Sequence, residues 1–99
     1  MSNSQAIETF TRGTAVKITD VLDINTATSA TITIDNPNNT EVVSNANMTK
    51  EADKVYSYTW QSSVSNPEGE YVVTFKITYA GKTSVRQSRF LLVKQEGSE

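Results

Sequence analysis

Tyr71-Val72-Val73-Thr74-Phe75-Lys76-Ile77-Thr78-Tyr79 decides the fold of this chain. A period of two puts Tyr71, Val73, Phe75, Ile77 and Tyr79 on one face and Val72, Thr74, Lys76 and Thr78 on the other, the pattern of a half-buried strand. Upstream, Val55-Tyr56-Ser57-Tyr58-Thr59-Trp60 alternates in the same way, with Tyr56, Tyr58 and Trp60 together. Between the two runs, Asn66-Pro67-Glu68-Gly69 is turn chemistry: Pro fixes its own φ and Gly accepts a positive one. Downstream, Ala80-Gly81-Lys82 leaves room only for a tight hairpin into a third run, Thr83 to Val93.

A two-residue turn at Gly81-Lys82 is the expected hairpin. It places Ala80 opposite Thr83, Val73 opposite Phe90 and Tyr71 opposite Leu92, so that the large pairs share the core face. A three-residue turn would oppose Val73 with Arg89 and need a bulge further along. On the outer face the two-residue register sets Val72 opposite Leu91, with Val85 further along and Lys76 and Arg89 nearby. This apolar pair with a basic fringe has two readings. Either another segment covers it, Ile7 and Phe10 being the candidates, or it is a contact patch for a protein partner or a second copy.

The remaining chain adds strands to this unit. Residues 1–5 read as a disordered lead, Ala6 to Phe10 as a short first strand and Ala15 to Asp20 as a second, in which Val16 and Ile18 share a face. Val21 to Ser29 alternates weakly and reads as a connection whose apolar residues tuck inward. Ala30 to Ile34 alternates cleanly and stops at Asp35-Asn36-Pro37-Asn38-Asn39, whose Asn and Asp side chains can bond their own backbone. Thr40 to Val43 is the next strand. Ser44 to Lys54 is polar around an isolated Met48 and reads as a loop with a short bridging strand near Met48 to Lys50. Residues 6–93 thus form one domain, with 94–99 as a mobile tail.

Ninety-nine residues bury roughly 65% of the surface of the unfolded chain, enough for a modest core without covalent staples. A net charge of −2 supplies no basic field for nucleic acid or an anionic membrane. The N-terminus lacks a basic residue ahead of an apolar run of signal-peptide length, and no run is long enough to span a bilayer. The expectation is a small, complete product of the cytoplasm.

About seven strands in about a hundred residues is the size of an immunoglobulin-like domain. The pattern Phe10-x-x-Gly13-x-x-Val16-x-Ile18, Ile32-x-Ile34-x-x-Pro37, Tyr56-x-Tyr58-x-Trp60, Gly69-x-Tyr71-x-Val73 and Gly81-Lys82-Thr83-Ser84 resembles immunoglobulin-like modules of bacterial, archaeal and phage proteins. The fold class expected is therefore an all-β, immunoglobulin-like antiparallel β-sandwich. The cysteine pair of the antibody type is absent, and Trp60 lies on the strand before that of Tyr71. If Tyr71 acts as a corner tyrosine, its hydroxyl bonds the backbone near the preceding turn.

Histidine and cysteine are both absent, which removes the commonest general base, the thiolate nucleophile and the usual zinc ligands. No serine sits in a Gly-x-Ser-x-Gly elbow, and the glycines at 13, 69, 81 and 97 are too dispersed to cradle a phosphate. No catalytic residue and no cofactor is expected. Asp20, Asp23 and Asp35 at strand ends and Glu68 and Glu70 around Gly69 are the residual candidates for calcium, though no Asp-x-Asp loop is present. Trp60, Tyr56 and Tyr58 could stack on a sugar, but they share the face the core needs. Asn38-Asn39-Thr40 and Asn47-Met48-Thr49 match the glycosylation acceptor pattern and mark exposed loops.

The resemblance implies a non-enzymatic interaction module, a small structural or accessory protein of a virion such as a phage head or tail. It would act through Val72, Leu91, Val85, Lys76 and Arg89 or through an open sheet edge. The alternative is one module of an extracellular adhesin or cell-wall protein, with carbohydrate or calcium as the ligand.

Overall fold

The computed structural model describes residues 8–94. Eight strands follow one another: β1 (Glu8–Thr11), β2 (Ala15–Val21), β3 (Ser29–Asp35), β4 (Glu41–Asn47), β5 (Thr49–Ala52), β6 (Val55–Gln61), β7 (Gly69–Tyr79) and β8 (Lys82–Val93). They make two sheets, a five-stranded one in the order β1-β8-β7-β3-β4 and a three-stranded one in the order β2-β6-β5. The chain is an all-β sandwich. Every pairing is antiparallel except β1 on β8, where Glu8 to Thr11 run parallel to Phe90 to Val93. The expected lead, Ile7 and all of the expected tail beyond Lys94 lie outside the described residues.

The alternation of β7 sets the core. Tyr71, Val73, Phe75 and Ile77 are buried while Lys76 between them is exposed. Ile32 and Ile34 of β3, Val16 of β2, Tyr56 and Trp60 of β6 and Phe90 and Leu92 of β8 close the layer from both sides. Four rings interlock at one end, with Tyr71 stacked on Phe90 at 5.1 Å, Trp60 tilted on Tyr71 at 5.6 Å and Phe10 edge-on to Phe90 at 5.6 Å. Aromatic pairs at these separations add to simple area burial. The aromatics of β6 therefore serve packing: Tyr56 and Trp60 are buried and Tyr58 is packed against the core. Leu22 and Ile24 of the β2–β3 connection tuck inward as expected, but Val21 does not: it is the last residue of β2 and is exposed.

The polar stretch from Ser44 to Lys54 is where the sequence reading is corrected. The expected short strand near Met48 to Lys50 is present as β5, but the rest is not a loop: β4 runs on to Asn47, and β5 follows after the single residue Met48. The alternation is hidden by bulges. Ile32 pairs with Ala46 but Ile34 with Val43, and Asn45 within the irregularity adopts a left-handed φ of 47°. One extra residue separates Val43 from Ala46, so no period of two survives in the sequence. The β3–β4 pairing shifts again between Ile34 and Asp35, and a further irregularity falls between Lys50 and Ala52 in β5, a strand with no buried residue.

The β7–β8 hairpin is also corrected. Its turn has two residues, as expected, but they are Ala80-Gly81, with φ of 53° and 78°. Tyr79 pairs with Lys82, and the register continues through Tyr71 opposite Phe90 to Gly69 opposite Leu92. Two consecutive positive φ values define a turn whose twist matches that of the strands it joins. That match outweighs the steric cost of Ala in the left-handed region. Relative to the expected pairing β8 slides by two residues, so every side chain keeps its face and changes its partner.

Candidate protein–protein interface

The slid register rearranges the expected contact patch. Val72 lies opposite Arg89 and Leu91 opposite Glu70, so Val72 and Leu91 are diagonal neighbours and not a direct pair. The other diagonal of the same quartet is an ion pair, Arg89 Nε to Glu70 Oε1 at 3.6 Å. Val72 and Leu91 are half-buried, while Val85, opposite Lys76, is 60% exposed. The patch is therefore split: a half-buried apolar pair with an ion pair across it, and a separate exposed valine four residues away on β8. Phe10 does not cover it, because β1 pairs Phe10 with Leu92 and its ring meets Phe90 in the core. Around these residues the outer face is dominated by threonine, with Thr31, Thr33, Thr74, Thr78 and Thr83 in register across β3, β7 and β8. A threonine-rich face is well solvated and leaves little apolar area for a partner.

The open side of the sandwich offers more. β8 has twelve residues, but β1 covers only Phe90 to Val93. From Lys82 to Arg89 its outer edge has no strand partner among the described residues, and neither does the outer edge of β2. These two edges lie on the same side of the molecule, joined by an ion pair between Arg86 of β8 and Asp20 of β2. Asp20 is 8% exposed, and its Oδ2 is buried without a hydrogen-bond partner, whereas the Arg86 side chain is half exposed. Arg86 faces inward because it pairs with Phe75, on the core side of β7. Ser84 and Ser88 share that inner face and are exposed, because the three-stranded sheet does not reach over them.

The bridge divides the seam into two open clefts. One, of about 490 Å3, is lined by Leu22, Ile24, Ile77, Tyr79 and Lys82 among others. The other, of about 280 Å3, runs past Ile18, Thr19, Asp20, Phe75 and Ser88 to Glu8. Arg86 lines both. The sequence reading named an open edge in general terms and missed which one it is. A polar Ser84-x-Arg86-x-Ser88 run on the inner side of a strand otherwise ending in Phe90 and Leu92 was the available signal.

At the other end, the corner tyrosine is in place. Tyr71 donates its hydroxyl hydrogen to the Pro67 carbonyl at 2.7 Å. Arg12 clasps the same loop, donating to the Asn66 carbonyl at 3.2 Å and lying 3.7 Å from Glu68. Burial pushes the Tyr71 phenol above its ordinary value, with the Arg12 guanidinium opposing that shift. On the outer face of the small sheet, Glu51 accepts from Ser57 at 2.5 Å and pairs with Lys17 at 3.2 Å, which together hold its carboxyl below the usual range.

The carboxylates considered for calcium do not gather. Asp20 is held between the sheets by Arg86, Asp23 lines the larger cleft, and Asp35 sits in register with Glu41 and Val72 on the large sheet. Glu68 and Glu70 are each paired with an arginine. Among the described residues no three acids, histidines or cysteines group in a way that could hold a metal ion, and no helix is long and apolar enough to cross a membrane.

No curated protein and no solved structure matches this chain. A family model does: that of the Ribophorin II second domain matches residues 2–89, nearly the whole length, and the chain belongs to that family.

Proposed function

We propose that this domain is a non-enzymatic protein-contact module, an immunoglobulin-like sandwich that works through the open side of its larger sheet. One observation carries the reading: among the described residues, eight consecutive residues of β8, Lys82 to Arg89, have no strand partner on their outer edge and lie beside two clefts. A row of unpaired backbone groups recruits an extended segment, and alternate side chains of that segment find the clefts. The parallel β1–β8 pair and the Tyr71 corner support the immunoglobulin-like assignment. The absence of histidine and cysteine from the sequence supports a role without chemistry. The outer-face residues Val72, Leu91, Val85, Lys76 and Arg89 are a lesser candidate, since two of the three apolar ones are half-buried.

The virion setting expected from the resemblance has no support in the fold or the family. A module of a larger protein is the setting we favour, because the family is named for a second domain, which has a neighbour before it. The test is selection from a random peptide display library, with binders mapped by hydrogen exchange and self-association followed by light scattering. Protection confined to β8 and β2 supports the proposal. A domain that selects no peptide and stays monomeric over the whole concentration range is not a contact module.

A further inference from the structure

We infer that residues 1–7, which lead into Glu8, continue β1 along β8 and are the resident occupant of the seam, so that a partner strand enters only by displacing them. The displacement rests on the contact-module reading and adds a regulatory step to it. β1 lies parallel to β8 without a bulge, from Glu8 opposite Phe90 to Thr11 opposite Val93. Phe10 meets Phe90 in the core and Glu8 lines the smaller cleft, so Glu8 and Phe10 face inward. Carried upstream, the same register sets Ile7 opposite Arg89, Ala6 opposite Ser88, Ser4 opposite Arg86 and Ser2 opposite Ser84.

The side chains suit that register. Its inward positions, Ala6, Ser4 and Ser2, are all small, and they run beside Arg86, whose side chain crosses the seam to Asp20 and needs the room. Asp20 is buried, and its Oδ2 has no hydrogen-bond partner. A hydroxyl at Ser4, opposite Arg86, brings a donor to that bridge, and a buried acceptor gains most from being satisfied. On the outer face Ile7 falls diagonal to Leu91 and adds apolar contact to the half-buried Leu91 and Val72. No proline or glycine among residues 1–7 ends the ladder. Residues 1–6 also hold no β-branched or aromatic residue, so the added pairing is weak and a better strand can replace it. The apparent affinity of a partner is then lowered in proportion to the fraction of molecules whose seam is closed.

The test compares the full chain with its Ser4→Pro, Gln5→Pro double variant, by amide hydrogen exchange and cross-strand proton contacts in isotope-labelled protein. Successive amides of a strand point to opposite sides, so one of the two prolines removes a bond to β8 whichever way the strand faces. Circular dichroism checks that the variant folds, and unchanged exchange in β3 and β6 controls for a global loss of stability. The amides between Thr83 and Arg89 that point away from β7 are expected to exchange about tenfold faster in the variant. A peptide from the display selection is expected to bind the variant about fivefold more tightly. Equal exchange in the two proteins, or contacts from the segment to β2 in place of β8, overturns the inference and leaves the contact role standing. Faster exchange with unchanged peptide affinity overturns the displacement step. If the selection yields no binder for either protein, the contact reading falls and the displacement step with it, while the exchange comparison still decides whether the segment is docked.

Discussion

The Tyr71 hydroxyl reaches back four residues to the Pro67 carbonyl, tying the β6–β7 loop to a side chain that is itself fully buried between Trp60 and Phe90. Tyr71→Phe keeps the ring and removes the bond, leaving the Pro67 carbonyl short of a donor. A loss of about 1–2 kcal/mol is expected, read as a lower denaturant midpoint at unchanged slope. An unchanged midpoint would mean the loop is held by Arg12 alone.

The same tyrosine predicts alkaline behaviour. Burial raises the Tyr71 phenol in the folded state, so the unfolded chain releases that proton first as pH climbs. Above about pH 10, the ordinary value, the unfolded state binds fewer protons than the native one, and stability falls with rising pH. Below that pH the contribution is fully present. Tyr71→Phe lacks this group, so the gap between wild type and variant should narrow above pH 10. A gap that stays constant to pH 11 contradicts the linkage.

Ala80 at φ 53° holds the first position of a turn that favours Asn-Gly. Asn tolerates the left-handed region better than Ala, so Ala80→Asn should stabilise the domain by roughly 0.5–1 kcal/mol. Thermal unfolding measures it. A destabilised variant would mean that the turn is not the Ala80-Gly81 pair, and the register of β8 would need revision with it.

That register marks how far the sequence was legible. The faces of β3, β6, β7 and β8 followed from alternation, because a buried face repeats every two residues whatever its partner. The partners did not follow. Nothing in Tyr79-Ala80-Gly81-Lys82 distinguishes Gly at the first turn position from Gly at the second, and the choice rests on whether Ala accepts a positive φ. β4 and β5 were harder still, since their bulges break the period at Asn45 and Glu51. The Val72–Leu91 patch inherited the register error and came apart into a diagonal pair. The seam stayed hidden for a different reason: it depends on which residues of the twelve-residue β8 are paired, and among the described residues β1 covers Phe90 to Val93, a tertiary fact that no local pattern encodes.

Asp20 and Arg86 join the two sheets across that seam, and their unequal exposure predicts an asymmetric response. The carboxylate is nearly buried, with one oxygen lacking any partner, while the guanidinium is half in solvent. Arg86→Leu leaves the carboxylate without its counter-charge and should cost about 1–3 kcal/mol, the lower half of that range applying because the pair is partly wet. Replacing both with Leu removes the stranded charge and adds apolar surface facing Phe75 and Ile18, so the double variant should recover most of the loss. Denaturant midpoints for the four members of the cycle give the coupling. A single variant as stable as wild type would show the bridge to be worth nothing. A double variant as unstable as the single one would show that the arginine's alkyl stem, and not its charge, holds β8 against β2.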